Sequence, residues 1–318
     1  MRKHGVEAQK VQTIDSKLLY ASKTLRQLAG KLSQVLATTG ILSGPVQQDF
    51  DHATIRLLAK YDTELQGIVK TNAEQIVDNP STQVVVLTGS TGSLGSYILS
   101  SLLARSDVKK VICLNRNGDA KAQSTSLRVR GLPEFNIDSE RVKFLQVKPV
   151  EPKLGLTDED YTSLMRETTS IIHNAFPVNF LLSLESFEPQ FQYLLNLLRL
   201  AFEGQRHPAV IFVLSITAAT SLAIKGLQGT IPEDVLEPDQ AKHLLPQGYA
   251  RAKYICERLL ATYASIVGRP AAVLRVGQIR GPLSGTGVWN VSEWVPSLVL
   301  SSKYLEAIPG SLGSADID

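Results

Sequence analysis

The chain has 318 residues, of which 43% are hydrophobic and 20% are charged, and its formal net charge is +3. A chain of this length and composition can bury a sizeable core, which excludes a disordered or fibrous protein. Lysine and arginine are scattered along the chain, so no basic patch for nucleic acid stands out, and we expect a small-molecule or protein partner.

The sequence contains no apolar run long enough to cross a bilayer, and residues 1–17 are too polar for a signal peptide. Cys113 and Cys256 fall in segments that are predicted as a buried strand and a helix. This placement gives neither a disulfide framework nor the spacing of metal ligands. We therefore expect a soluble protein of the reducing cytoplasm, without a metal site and without a membrane partner.

The first 80 residues have the periodicity of helices. Apolar residues recur at helix spacing over residues 25–36 and again over residues 55–69, with a linker-like stretch at residues 38–45 between them. We divide this part of the chain into a segment at residues 1–45 and a helical lead-in at residues 46–80. The main domain is predicted to occupy residues 81–318.

From residue 84 onward, short apolar runs alternate with stretches of helical pattern. The runs are predicted as strands and cover residues 84–87, 108–114, 142–147, 170–173, 209–214 and 271–276. This alternation predicts a parallel sheet that is covered on both faces and joined by right-handed crossovers. The predicted fold is therefore α/β, a Rossmann-like doubly wound sheet preceded by a helical N-terminal segment.

A glycine-rich loop, TGSTGSLG at residues 88–95, follows the first predicted strand and precedes a helical stretch at residues 96–104. Glycines at this spacing allow a sharp turn and close approach of a pyrophosphate, and the helix N-terminus offers N–H groups and a positive dipole. The loop predicts a dinucleotide site. Its candidate cofactor-binding residues are Gly89, Ser90, Thr91, Gly92, Ser93, Leu94 and Gly95.

The end of the second predicted strand indicates which dinucleotide binds. An NAD-specific site places a carboxylate there for the ribose hydroxyls, whereas this chain has Asn115, Arg116 and Asn117. The guanidinium of Arg116 can bind a 2′-phosphate that a carboxylate would repel. The sequence therefore predicts NADPH as the cofactor, with an ordinary surface arginine as the alternative interpretation.

Tyr249 and Lys253 lie in the segment GYARAK, at the start of a predicted helix. Residues four apart project from one face of a helix. An ammonium beside the phenol should lower the pKa of Tyr249 toward neutrality and can bind the nicotinamide ribose, which makes the tyrosine a usable proton donor. In their order along the chain, the glycine loop, a hydroxyl-bearing strand end and the Tyr–Lys pair resemble the short-chain dehydrogenases/reductases of the extended type.

The hydroxyl-bearing strand end is FVLSIT at residues 212–217. Because strand side chains alternate, we expect Ser215 and Thr217 on one side, where either can bind a substrate carbonyl oxygen. We prefer Thr217 and keep Ser215 as the second candidate, while ordinary capping of the strand end is the structural alternative. His173, Asn174 and Ala175 follow the fourth strand, at the edge where such sheets bind ligands, and are expected to line the cofactor.

Together these motifs resemble the thioester reductase domains of nonribosomal-peptide-synthetase-like enzymes, carboxylic acid reductases and fungal α-aminoadipate reductases. The resemblance covers about residues 80–310 and rests on VVVLTGSTGSLGSYILSSLLA, IIHNAFPVNF, LSLESFEP, GYARAKYICERLL and VLRVGQIRGPLSGTGVWNVSEWVPSLV. It implies an acyl substrate held as a phosphopantetheine thioester on a carrier domain of the same multidomain enzyme. Reduction by NADPH would release an aldehyde, or an alcohol after a second round.

The resemblance also implies roles for single residues. Thr217 or Ser215, together with Tyr249, would polarise the thioester carbonyl. Lys253 would orient the ribose and tune Tyr249, and Arg116 matches the phosphate-binding arginine of the family. The stretch beside the nicotinamide is matched by Val276, Gly277 and Gln278.

The chain departs from the family pattern at three points. Lys148 and Pro149 follow the third strand where an aspartate that contacts the adenine is usual, and Phe176 stands where a tryptophan is common. Only 65 residues follow Lys253, so we expect an incomplete C-terminal substrate subdomain and a chain cut from a longer enzyme. Residues 23–37 are similar to the last helix of a carrier protein, which makes residues 1–45 a carrier-protein remnant or a linker helix.

Two other functions share part of this pattern. An epimerase or dehydratase for a nucleotide sugar has the same loop, hydroxyl strand and Tyr–Lys pair. Such an enzyme would retain NAD and have a carboxylate after the second strand, and Arg116 at this position disfavours it. A non-catalytic NADP-binding module is the second alternative, and it would not need intact Thr217, Tyr249 and Lys253. The sequence has no Gly-x-Ser-x-Gly elbow and no convincing carboxylate pair, which disfavours hydrolase chemistry.

Overall fold

The computed structural model describes residues 45–70, 82–117, 120–134, 140–219, 233–238, 241, 244–283 and 287–309. The carrier-like helix expected at residues 23–37 lies outside these ranges. The strands are β1 (Gln83–Thr88), β2 (Val108–Asn115), β3 (Val142–Gln146), β4 (Ser170–His173), β5 (Ala209–Ser215) and β6 (Ala271–Val276). The α-helices are α1 (Pro45–Val69), α2 (Ser93–Ala104), α3 (Ala120–Val129), α4 (Asp158–Glu167), α5 (Glu188–Glu203), α6 (Gly248–Val267) and α7 (Trp294–Leu305).

The six strands form one parallel sheet in the order β3-β2-β1-β4-β5-β6. This is the predicted doubly wound arrangement, and each predicted strand agrees with the structure to within one residue at either end. The strand order reverses between β1 and β4. The carboxyl ends of these two strands therefore border the crevice in which sheets of this type bind ligands.

Helices cover both faces of the sheet. Val84 and Val86 of β1 belong to a core built with α4, α5 and α6, whereas Val85 and Leu87 pack with Leu99 of α2 on the opposite face. Because both faces are buried, the central strands are continuous apolar runs instead of alternating ones. None of the helices in the described part of the chain is both long and apolar enough to span a bilayer.

Helix α1 forms an additional layer outside α5 and α6. Its residues Leu57 and Leu65 are fully buried, and the ring of Tyr61 meets that of Phe191 on α5 edge to face, with centroids 5.2 Å apart. The hydroxyl of Tyr61 also donates to the Glu188 carboxylate over 2.9 Å. The predicted helical lead-in therefore contains a helix that packs on the main domain.

Candidate active site

A cavity of about 1280 Å³ opens at the carboxyl ends of the strands. Most of the predicted site residues line this one cavity. They are Gly89, Thr91, Gly92, Ser93, Leu94, Arg116, Asn174, Ala175, Ser215, Thr217, Tyr249, Lys253, Val276, Gly277 and Gln278. Three predicted residues do not line this cavity, namely Ser90, Gly95 and His173.

The glycine loop needs glycine at two positions for different reasons. Gly89 has a φ of +68°, which side-chain-bearing residues rarely adopt, and an added Cβ would lie 3.0 Å from the backbone of Ala175. At Gly95 an added Cβ would lie 2.0 Å from the carbonyl oxygen of Gly89. Gly95 thus serves the packing of the helix on the loop and does not line the cavity; its contact with the cofactor stays a prediction.

Helix α2 begins at Ser93, three residues before its predicted start, so the end of the glycine loop forms the first helical turn. Its N-cap is Gly92, which has no side chain to bind the free N–H groups of this turn. Ser93 and Leu94 line the cavity. The helix N-terminus is therefore open to an anionic ligand.

Ser90 supports the loop from below. It is fully buried, and its Oγ accepts a hydrogen bond from Asn115 Nδ2 over 2.9 Å. Its carbonyl oxygen accepts from Gln123 Nε2 over 3.1 Å, and Ser126 Oγ donates to the carbonyl of Thr91 over 2.7 Å. The Ser90 side chain thus holds the loop on β2 and its carbonyl oxygen holds the loop on α3, and a contact of Ser90 with the cofactor stays a prediction.

Arg116 is exposed and lines the cavity just beyond the end of β2. Its backbone is held by Gln146, whose Nε2 donates to the Arg116 carbonyl over 3.1 Å. Where the family has an aspartate after the third strand, Pro149 and Val150 line this end of the cavity. Apolar residues therefore line the cavity where the family resemblance implied an aspartate in contact with the adenine.

The two candidate hydroxyls lie together, although not for the predicted reason. Strand β5 ends at Ser215, and Thr217 is in the 3₁₀ turn Ile216–Ala218, so alternation along a strand does not apply to it. Instead, Ser215 Oγ accepts from the Thr217 backbone N–H over 3.3 Å and from Thr217 Oγ1 over 3.0 Å. A tight turn, and not the pleat of a strand, places both hydroxyls in the cavity.

Tyr249 is only 5% exposed and is surrounded by aromatic rings, with Phe180 centred 5.1 Å and Phe176 5.9 Å from it. Burial raises the pKa of the Tyr249 phenol, and a hydrogen bond from Ser215 opposes this rise. The prediction that Lys253 lowers the pKa of Tyr249 toward neutrality was therefore wrong. The Lys253 Nζ lies 5.8 Å from the Tyr249 ring centroid and is bound elsewhere.

The ammonium group of Lys253 is enclosed between rings and backbone. Nζ donates to the Val213 carbonyl over 2.9 Å and lies 3.9 Å from the Phe176 centroid and 4.7 Å from the Phe212 centroid. The residue is 3% exposed, and burial lowers its pKa to about 7. Lys253 can therefore take up or release a proton near neutral pH.

His173 lies beneath the cavity, whereas Asn174 and Ala175 line it. The expectation that His173 lines the cofactor is corrected: the residue is fully buried, its ring stacks on Phe212, and Nδ1 lies 2.9 Å from Thr88 Oγ1. Burial and the nearby charge of Lys253 lower the pKa of His173 to about 3. It is a neutral part of the core.

Three aromatic residues that the sequence did not suggest also line the cavity, namely Phe180, Tyr193 and Trp294. The indole Nε1 of Trp294 donates to Gln278 Oε1 over 2.9 Å. An aromatic residue in a loop or a helix has no spacing that marks a site. The residues that support the glycine loop did leave a usable signal in the sequence. Gln123 and Ser126, which bind the loop, are polar residues one turn apart on the buried face of α3.

A model of an NAD-binding family, described as male sterility protein, matches residues 87–318. The chain belongs to this family. It is 34% identical over 317 residues to a carboxylic acid reductase of Neurospora crassa, which covers 97% of this chain and 28% of the relative. Over 309 residues it is 33% identical to the adenylate-forming reductase Nps11 of Serpula lacrymans, covering 94% and 27%. The predicted family resemblance is thus confirmed, and the family supports a nicotinamide dinucleotide as cofactor.

Solved structures confirm the fold. The terminal R domain of the myxalamid PKS-NRPS pathway has a TM-score of 0.62 at 24% identity, covering 80% of this chain and 64% of that one. A thiolation-reductase di-domain of an archaeal nonribosomal peptide synthetase has a TM-score of 0.58 at 20% identity, covering 94% and 61%. This chain spans less than a third of the length of the two curated relatives named above.

Proposed function

We propose that the chain is an NADPH-dependent reductase that releases a carrier-bound acyl thioester as an aldehyde. The observation that carries the proposal is one cavity in which Ser215, Thr217, Tyr249 and Lys253 face the glycine loop across the carboxyl ends of the strands. Relatives named carboxylic acid reductase and adenylate-forming reductase support the same chemistry.

The residues present fit a dinucleotide. Gly89 and Gly92 keep side chains out of the loop, the N-terminus of α2 is open, and Arg116 supplies a cation at the end of β2. When bound, NADPH supplies the hydride. Arg116 favours NADPH over NADH, because its guanidinium suits a 2′-phosphate.

The chain's own residues would manage the charge on the substrate oxygen. The phenol of Tyr249, with Thr217 or Ser215, would hydrogen-bond the thioester carbonyl and make its carbon electrophilic. As that carbon becomes tetrahedral, Tyr249 would transfer its proton to the oxygen and leave a hemithioacetal. Collapse breaks the carbon–sulfur bond and yields an aldehyde and the free thiol of the arm.

Lys253 would support this proton transfer. A tyrosinate left in a site that is 5% exposed is costly unless a positive charge lies close to it. Because the pKa of Lys253 is about 7, its charged form is available at neutral pH. We assign Lys253 to the ribose of the nicotinamide and to the stabilisation of the Tyr249 anion.

The proposed partner is a phosphopantetheinyl carrier domain of the same multidomain enzyme. The fold likeness to a thiolation-reductase di-domain supports this assignment. For the acyl group the cavity offers Phe180, which lies beside Tyr249, and two further apolar lining residues, Val178 and Trp294. The product is an aldehyde, which a second round would convert to the alcohol.

The deciding experiment is to follow NADPH oxidation with an acyl-pantetheine thioester and to identify the product, beside an NADH control. Thioester-dependent oxidation that yields an aldehyde or alcohol, faster with NADPH, is the expected result. Binding of NADPH without turnover would favour the non-catalytic module. Tightly retained NAD without net oxidation would favour the epimerase or dehydratase.

A further inference from the structure

Helix α6 presents one buried cation on the side opposite to the cavity. Arg251 lies two residues from both Tyr249 and Lys253, so at 3.6 residues per turn its side chain points away from theirs. It is fully buried, which is exceptional for an arginine. A guanidinium in such a place must be bound by neighbouring groups, since burial alone disfavours its charge.

The guanidinium of Arg251 joins three parts of the chain. Nη2 donates to Asp51 Oδ1 over 2.6 Å and Nη1 donates to Thr54 Oγ1 over 2.9 Å, and both acceptors belong to α1. Nε donates to the carbonyl of Leu245 over 3.0 Å and Nη2 to that of Leu244 over 3.3 Å. Arg251 thus fastens the first turns of α6 to α1 and to the segment that leads into α6.

On the side that Arg251 does not bind, the start of α6 is packed too closely to shift. An added Cβ at Gly248 would lie 2.3 Å from the carbonyl oxygen of Leu182. The first turn of α6 is therefore held by backbone contact at Gly248 and by the Arg251 network three residues later. Tyr249 lies between these two fixed points.

We propose that Arg251 is a positioning residue, which by binding Asp51 and Thr54 of α1 sets the place of the Tyr249 phenol and the Lys253 ammonium in the cavity. Helix α1 precedes residues 87–318, which the family model matches, and yet it supplies two of the groups that bind Arg251. The activity test of this inference rests on the proposed reductase function. An exchange measurement tests it without turnover.

The test compares Asp51→Ala with Leu65→Ala in the full chain. Asp51→Ala removes the anion that neutralises Arg251, while Leu65→Ala weakens the docking of the same helix several turns away and leaves the Arg251 network intact. Both variants should lower the Tm. At a temperature well below either Tm, Asp51→Ala should reduce kcat about tenfold with KM for the thioester changed less than about twofold, and Leu65→Ala should leave kcat unchanged.

A conservative variant separates positioning from simple loss of structure. Asp51→Asn keeps an oxygen acceptor for Arg251 and should recover most of the lost kcat. If Asp51→Ala does not fold, Thr54→Ala and Asp51→Asn carry the test, with expected kcat losses of about two- to threefold. Wild-type kcat in every folded variant, or equal losses in Asp51→Ala and Leu65→Ala at equal loss of Tm, would overturn the proposal.

Hydrogen exchange distinguishes a failure of this inference from a failure of the proposed function. The amides of residues 248–253 should exchange faster in Asp51→Ala than in the wild type, whereas Leu65→Ala should leave them protected. If the wild type shows no thioester reduction but this exchange pattern is found, the coupling of α1 to α6 stands and the proposed reaction is wrong. Unchanged exchange at residues 248–253 in Asp51→Ala removes the coupling itself.

Discussion

The Lys253 ammonium lies 3.9 Å from the centre of the Phe176 ring. This contact and the Val213 carbonyl stabilise the charged form, while burial opposes it and lowers the pKa of Lys253 to about 7. Burial is the larger effect, and at neutral pH the charged and neutral forms of Lys253 are about equally populated. A group in this state changes its charge in response to small changes around it, such as the arrival of a ribose or the loss of a proton from Tyr249.

The first prediction concerns stability against pH. Unfolded Lys253 has a pKa near 10.5, so between about pH 7 and pH 10.5 the unfolded chain binds more protons than the folded one. The Lys253 contribution to folding therefore becomes more favourable as pH rises through this window, by up to about 1.4 kcal/mol per pH unit, and its full cost is present below about pH 7. Lys253→Met should be more stable than the wild type at pH 7, and its advantage should shrink toward pH 10. Urea unfolding measures this, and exposed Lys303→Met is the control.

A second prediction concerns cofactor choice. Arg116→Ala should weaken NADPH binding by about 1.5–3 kcal/mol, because a charge-assisted contact to the 2′-phosphate is lost, and should leave NADH binding almost unchanged. Lys109→Ala removes the same charge at the opposite end of β2 and is the control for net charge. Titration of intrinsic fluorescence with each cofactor measures both affinities. Equal losses for NADPH and NADH would show that Arg116 does not bind the phosphate.

The phenol of Tyr249 is the third point of test. Tyr249→Phe should lower kcat for the thioester by about 10²–10⁴-fold, since the proton donor is lost, while NADPH affinity stays within about twofold. Tyr263→Phe removes a hydroxyl from the same helix, away from the cavity, and should keep wild-type kcat. Loss of NADPH binding in Tyr249→Phe would instead make Tyr249 a structural residue.

The hydroxyls of Ser215 and Thr217 should act as one unit. Thr217 Oγ1 donates to Ser215 Oγ over 3.0 Å, so removing either group misplaces the other. Ser215→Ala and Thr217→Val should each lower kcat by about 10- to 100-fold, and the double variant should lose little more than the worse single variant. Steady-state kinetics of the four chains give the coupling. Additive losses would mean that the two hydroxyls act separately.

The surroundings of Gly95 in the glycine loop and of Gly67 in helix α1 predict opposite effects of a glycine-to-alanine substitution on stability. In Gly95→Ala the new Cβ would lie 2.0 Å from the Gly89 carbonyl oxygen, and we expect destabilisation by more than about 3 kcal/mol with loss of NADPH binding. At Gly67, an exposed position in helix α1, an added Cβ has no atom within 4 Å. Gly67→Ala should stabilise the chain by about 0.5–1 kcal/mol. Chemical denaturation of both variants decides the matter.

The sheet was predictable because its strands are buried on both faces. Continuous apolar runs such as residues 84–87 mark such strands without any knowledge of their neighbours. The glycine loop and the Tyr–Lys pair were likewise visible, since their spacing along the chain is itself the signal. Local patterns therefore sufficed for the fold class and for most of the residues that line the cavity.

What the sequence did not reveal depends on side chains from distant segments. The direction of the Lys253 ammonium is set by Phe176, Phe212 and the Val213 carbonyl, which come from β5 and the loop after β4. The position of Thr217 is set by a 3₁₀ turn that no residue pattern predicted. Packing of this kind decides the pKa values of the site. The expected pKa of Tyr249 needed correction for this reason.

The bond between Asp51 and Arg251 spans 200 residues of chain, and this has a consequence for synthesis on the ribosome. At about 5–20 residues per second, roughly 10–40 s pass between the emergence of α1 and that of α6. During this time the apolar face that contains Leu57 and Leu65 has no α6 to cover it. The nascent chain is therefore exposed to aggregation, and in need of a chaperone, until α6 is made.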